Sequence, residues 1–461
     1  MNINNTDSNV ISSTTTTTSA KLILHFDINK TAIFGDACQN ISFESSLLFN
    51  IAECSWGTIN SNKNEWELTY NELSFKQPSP ELISYSMYLG WKFPNKTQME
   101  IPDRIARAKA NEKLKQKRRK YSDVFVNKGQ PGYAFKSKYE MILSKLKLPQ
   151  EYLDNEYNKQ KKANSQLQSL YGNGFHFLFF SLFNTMIKLT EQKKQFVIIF
   201  RTFGDDIDKV VYEFNLFCNG QHPLFNNVYY PRYYFNGTNG SINYVIDDTH
   251  KGIMYRFSKD IRHSTLVVGN TKRIRDNTSP FNIYECYKEN IRNGSVSVIN
   301  GGDMIYRYIM NMFNEGRSKA CIINDDYLIW FSNEKEYAYG KPMFVNPYDS
   351  NVVQVFFDDN ATNRWNSIVD CRNVVTERSM NVNNVWEKYV VKADAISAGI
   401  DADYFVNWIL EIEKKMKERE VKEGNVVERA KIDYEMEKDK DGMEFNVFLG
   451  NYIKAMMWNE C

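Results

Sequence analysis

The chain is 461 residues long, 42% hydrophobic and 14% aromatic, with 30 Phe and 28 Tyr. That composition provides for a large folded core and excludes a mostly disordered polypeptide, while the length exceeds one simple domain. Fifty-eight Lys and Arg nearly balance 56 Asp and Glu, a formal +2, which excludes a polyanion binder that uses its whole surface and leaves room only for a local patch.

Seven scattered cysteines, an odd number with no C-x-x-C pair, argue against a disulfide framework or a zinc site and for reduced thiols used as small apolar residues. The apolar run Phe175–Phe183 falls far short of the ~20 residues that a membrane helix needs. No charged segment followed by an apolar stretch opens the chain, so the expectation is a cytoplasmic protein with no membrane segment.

In chain order, residues 1–20 are rich in Asn, Ser and Thr and read as a disordered tail. Leu22-Ile-Leu-His-Phe26 then forms a short apolar run ending in Asp27, as in a strand buried on both faces of a parallel sheet. Residues 37–173 form a long insertion that carries nine Lys/Arg and one Glu between Arg104 and Lys120. From Gly174 to Leu189 apolar residues recur at helical spacing, and Phe196-Val-Ile-Ile-Phe200 is a second buried strand, leading to Thr202. Another helix is expected from Asp205 to Cys218. Residues 218–319 read as a second insertion, with strand-like Ile253–Phe257 and Thr265–Val268 and helix-like Asp303–Phe313.

Cys321–Ile323 is a further apolar run, and Asp325-Asp326 behind it reads as a strand-end turn. Val352–Phe357 ends in Asp358-Asp359-Asn360. The C-terminal arm, 401–461, places Phe405, Trp408, Ile409, Ile412 and Met416 on one helical face. Strand, polar loop and helix in succession are the unit of a doubly wound α/β sheet.

Open α/β sheets bind ligands beyond the carboxyl ends of their strands. Here a carboxylate (Asp27), a hydroxyl (Thr202) and a carboxylate pair (Asp358, Asp359) follow three buried strands, and they converge if those strands are neighbours. Hard oxygen donors with room for water suit Mg²⁺. Lys341, 17 positions before Asp358, is placed to neutralise a phosphoryl group, whose transfer depends on positioning and charge.

Taken together, Asp27-Ile-Asn-Lys-Thr31, Thr202, Lys341 and Asp358-Asp359 resemble, in order and strand context, the motifs of the haloacid dehalogenase (HAD) superfamily. The resemblance implies a Rossmann-like α/β core with a parallel sheet (21–36, 174–217 and 320–400), cap insertions (37–173 and 218–319) and a C-terminal helical arm. It further implies Mg²⁺ dependence and an Asp nucleophile that forms an aspartyl-phosphate. Carried over, Asp27 is nucleophile and metal ligand, Thr202 and Lys341 hold the phosphoryl group, and Asp358 with Asp359 completes the metal site. A small phosphorylated substrate is the implied partner.

The family's phosphatases carry Asp two positions after the nucleophile as general acid/base, and here that position is Asn29. A carboxamide cannot exchange a proton at neutral pH, and such a loss costs on the order of 10²–10⁴ in rate. The Asn29 backbone carbonyl can still ligate a metal. A phosphatase with another proton donor (Asp36, Asp205 or Asp206), a phosphotransferase, and a binding or scaffold protein without catalysis all remain open. The Arg104–Lys120 stretch reads as a solvated helical face, or alternatively as a clamp for a nucleic acid or phosphorylated substrate. His25 and His176 read as packed core residues. No phosphate-cradling G-x-x-x-x-G-K-[ST] or G-x-S-x-G elbow occurs.

Overall fold

The computed structural model describes residues 20–35, 42–160, 164–225, 234–274, 280–364 and 367–418. The N-terminal tail up to residue 19, Asp36 and the arm beyond residue 418 lie outside the described residues. Apolar and β-branched runs form the strands β1 (Lys21–Asp27), β2 (Trp56–Asn60), β3 (Glu65–Leu68), β4 (Ile83–Ser84) and β5 (Phe196–Thr202). They are followed by β6 (Lys251–Arg256), β7 (Ser264–Gly269), β8 (Val296–Asn300) and β9 (Ala320–Asn324). The last are β10 (Lys341–Val345), β11 (Val352–Asp358), β12 (Val369–Asn373) and β13 (Val390–Lys392).

Eight of these form one sheet in the order β13-β11-β1-β5-β9-β6-β7-β8. Pairing is parallel from β13 to β6 and antiparallel from β6 to β8. The protein is therefore α/β with a mixed, mostly parallel sheet. Two readings change here. Residues 218–319, expected as an insertion, supply β6, β7 and β8 to this sheet, so the sheet is not parallel throughout. The runs that form β6 and β7 are buried along nearly their whole length, and an apolar pattern by itself does not say which neighbour covers it.

The other concerns 37–173. Its helices α1 (Phe43–Cys54) and α4 (Lys136–Leu146) place Leu47, Ile51, Ile142 and Leu146 in the same apolar cluster as Phe26 and Phe200 of the sheet. Between them lie α2 (Tyr85–Lys92) and α3 (Arg104–Asp123). The stretch thus shares the core of the sheet.

Strand alternation splits the core into two layers. Leu22, Leu24 and Phe26 pack with Ile198, Phe200, Val355 and Phe357 on one face. Ile23, Val197, Ile199, Cys321 and Ile323 lie on the other. The helix over 404–418 closes the first layer with buried Phe405, Ile409 and Ile412, while Trp408 and Met416 pack partly buried against it, as its spacing predicts. No described helix is long and apolar enough to cross a membrane.

The helix expected from Gly174 begins only at Phe180 and runs Phe180–Glu191. The reason is a buried acid. Glu213, on the Ile207–Cys218 helix, accepts the backbone N–H groups of Phe177 (3.0 Å) and Leu178 (2.5 Å), holding those residues out of helix. His222 Nε2 lies 3.4 Å from the same carboxylate, and His176 packs beside it with Nδ1 on the Leu178 carbonyl at 2.7 Å. Burial alone would raise the Glu213 carboxyl, yet His222, His176 and the Phe177 N–H hold it below its ordinary value.

We expect Glu213→Ala to strand one buried and one partly buried donor and cost roughly 2–6 kcal/mol, at about 1–3 each, read by urea denaturation. With the folded pKa depressed, the wild-type contribution is whole above the unfolded value, about pH 4.3, and is lost as pH falls through the folded one. The gap between variant and wild type should therefore narrow in acid.

Candidate active site

Three neighbouring strands, β11, β1 and β5, bring the site residues to one edge. In register, Phe26 faces Phe357 and Asp27 faces Arg201, so Asp27 and Asp358 stand together at the carboxyl ends. Lys341 arrives from the separate two-stranded sheet of β10 and β12. Its ammonium donates to Asp27 Oδ1 and, at 2.7 Å, to Asp358 Oδ2. Asp27, Asp358 and Lys341 are all buried.

Gly340 makes this approach possible. A Cβ there would meet the Ile368 carbonyl at 2.1 Å, whereas the bare backbone lets Lys341 N–H donate to that same oxygen at 2.6 Å. Arg256 fixes the peptide from the other side by donating to the Gly340 carbonyl at 2.8 Å.

Asp359 is half-buried, and its N–H donates to Thr31 Oγ1 at 3.0 Å, tying the turn after β1 to the end of β11. Asp358 Oδ1 accepts the Asn360 N–H at 2.9 Å. Asp27, Asp358 and Asp359 each offer an oxygen within 4.8 Å of the others. Burial pushes the Asp27 carboxyl well above the carboxylate range, with Lys341 pulling down and Asp358 and Asp359 pushing further up. Burial and the Asp358 charge push Asp359 up to about 7. Burial would lower Lys341, but Asp27 and Asp358 outweigh it and raise it.

This donor set fits a hard divalent cation. Three carboxylates against one lysine leave two formal negative charges in a buried space, and oxygen-only ligands suit Mg²⁺ or Ca²⁺. Such an ion would favour the charged carboxylates that burial disfavours.

Two expected members sit differently. Thr202 is buried at the tip of β5, where its hydroxyl accepts the Gly204 N–H at 2.8 Å. The Asn29 carboxamide, oriented so that its groups are satisfied, donates to the Gly35 carbonyl (2.9 Å) and to Asp206 Oδ2 (3.1 Å). Of the acids considered as proton donors, Asp206 is thus in contact with Asn29.

Arg201 is a further member of the site that no motif marks. Fully buried, it holds Asp325 through two hydrogen bonds (2.9 and 2.5 Å) and donates to the Pro342 carbonyl at 3.0 Å, steadying the strand that carries Lys341. Its signal was an arginine inside an otherwise apolar strand. Asp325 is that arginine's counter-ion, and Asp326 caps the Tyr327–Ser332 helix, so the pair ends a strand as expected. His25 is buried between Gln354 (3.0 Å) and Arg201 (3.5 Å) and stacks on Phe356. No protein-family model, curated protein or solved structure matches this chain.

Proposed function

We propose that the protein is a Mg²⁺-dependent phosphohydrolase or phosphotransferase of the HAD type, acting on a small phosphorylated substrate through an aspartyl-phosphate on Asp27. The observation that carries this reading is the Lys341 ammonium held between Asp27 and Asp358, beside Asp359, at the ends of adjacent strands. Asp27 attacks phosphorus, the bond to the leaving oxygen breaks, and that oxygen takes a proton. Water then attacks the acyl-phosphate, or an acceptor hydroxyl takes the phosphoryl group, and the Asp27 carboxylate returns. Lys341 balances charge on the transferring group, and Thr202 stands at the neighbouring strand end. Asp27, the Asn29 backbone carbonyl, Asp358 and Asp359 would hold the metal, which supplies neutralisation of the phosphate oxygens.

Asn29 leaves the proton step to another group, and Asp206, 3.1 Å from its amide, is the acid nearest to hand. That same contact favours a second reading, a HAD-like binding or scaffold protein with little turnover, because the amide is spent on Asp206 and Gly35. Asn29→Asp separates the two. It sets a second carboxyl against Asp206, so that one of the pair keeps a proton near neutrality. Turnover of p-nitrophenyl phosphate with Mg²⁺ should rise by about 10- to 100-fold, within the span of general acid/base contributions. No turnover in either form, with no Mg²⁺-dependent capture of a fluoroaluminate phosphoryl mimic, sinks the enzymatic reading.

A further inference from the structure

The basic stretch acquires a use in the fold that its composition does not reveal. On α3 the outward positions Glu112, Lys113, Gln116, Lys117 and Lys120 are exposed. The inward stripe is partly buried and consists of Asn111, Leu114, Lys115, Arg118 and Arg119, so one leucine stands among four polar or cationic side chains. A helix packed on a protein normally turns apolar residues inward. Here the inward cations Lys115, Arg118 and Arg119, joined by Lys30 from the turn after β1, line a cavity of about 470 Å³ whose floor includes Phe34, Phe49 and Leu89.

No described carboxylate pairs with Lys115 or Arg118. Arg118 is anchored by neutral groups, donating to the Phe93 carbonyl (2.6 Å) and to Asn95 Oδ1 (3.0 Å), which leaves further guanidinium donors. Among the described residues neither Lys115 nor Arg118 makes an ion pair. Elsewhere on the lining, Glu53 pairs with Lys30 at 3.1 Å and Asp123 takes the Ser45 hydroxyl. Half-buried like charges around one space repel each other and lose hydration, so an anion there is favoured.

The cavity also adjoins one that reaches Asp359 of the carboxylate cluster. A second cavity of about 290 Å³ is lined by Asp359 and Asn360 and shares Lys30 and Ser86 with the first. Lys30 thus stands between an acidic end and a basic end, its own ammonium over the Phe49 ring at 4.3 Å.

We infer that the substrate carries two anionic groups. The reacting phosphate lies at Asp27, and a second phosphate or carboxylate lies against Lys115 and Arg118, with a compact body over the Phe34–Phe49–Leu89 floor. The combined size suits a small molecule, since such sites span about 300–1,000 Å³. The inference rests on the phosphoryl-transfer reading only for the identity of the reacting group.

Calorimetry on the intact chain with Mg²⁺ at near-physiological salt tests it, with adenosine 3′,5′-bisphosphate and adenosine 5′-monophosphate as probes. Wild type should bind the bisphosphate about tenfold or more tightly than the monophosphate, as charge-assisted hydrogen bonds to a second phosphate require. Lys115→Gln/Arg118→Gln should collapse that ratio toward one. Lys115→Gln alone, at a side chain without an ion pair, should lower it severalfold in a chain of unchanged melting temperature. A wild-type ratio near one, or a ratio that survives in the double variant, overturns the inference. So does a 20-nucleotide single strand that displaces the bisphosphate with affinity falling steeply with salt, which would make the wall a nucleic-acid surface. Because no turnover is read, equal phosphatase activity in wild type and Asp27→Asn would overturn the nucleophile while leaving this ratio to stand or fall by itself.

Discussion

Asp27→Asn should abolish phosphomonoester turnover, by on the order of 10³-fold or more as for other lost nucleophiles, without lowering stability. The two halves have one cause. Burial and the neighbouring charges of Asp358 and Asp359 hold the Asp27 carboxyl well above its ordinary range, so the folded protein carries a crowded set of acids. Asparagine keeps the shape and removes one charge from the crowd. Lys341 retains Asp358 at 2.7 Å, so the lysine is not orphaned. The checks are steady-state rates on p-nitrophenyl phosphate and thermal melts without divalent metal. Equal rates in both forms exclude Asp27 as nucleophile, and a sharply lower melting temperature contradicts the electrostatic account.

Lys341→Met should do the opposite to stability. It leaves two buried carboxylates, Asp27 and Asp358, without their shared cation, and breaking a buried pair costs about 3–5 kcal/mol. The sign with pH follows from Asp27. A carboxyl whose folded pKa lies above its unfolded value costs nothing while protonated in both states, and costs progressively more as pH rises from about 4 toward the folded value. The deficit should therefore be small near pH 4 and large at pH 7–8. Mg²⁺ should recover part of it, since an ion present at about 100 times its Kd adds about 2.7 kcal/mol to the folded state. Urea titrations across pH, with and without Mg²⁺, measure all three. A variant as stable as wild type at neutral pH would show that the lysine does not offset these charges. Asp27→Asn in the same background should restore part of the loss, because one of the two stranded charges is gone.

The strands that carry the site were legible one by one. Leu22–Phe26, Phe196–Phe200 and Val352–Phe357 are short, dense apolar runs ending in polar residues, and a run of that length and composition has few places except a strand covered on both faces. The C-terminal face of Phe405, Ile409 and Ile412 was equally plain, because 3.6-residue spacing is a local property. Basic helix α3 could be seen as a charged stretch, but not which of its cations turn inward. That depends on α1 and α2 packing beneath it.

Local pattern therefore determined which segments are strands and helices, and which carboxylates and hydroxyls end them. Only the tertiary structure decided who stands beside whom. It made β11, β1 and β5 neighbours, so that residues hundreds of positions apart share one buried charge cluster. It enrolled 218–319 in the sheet, turned Asn29 toward Asp206, and brought Lys341 in from a second small sheet past a glycine. The physical reason is range. Propensity and periodicity act over a few residues, whereas burial, hydrogen-bond satisfaction and charge balance depend on groups brought together only when the chain closes on itself.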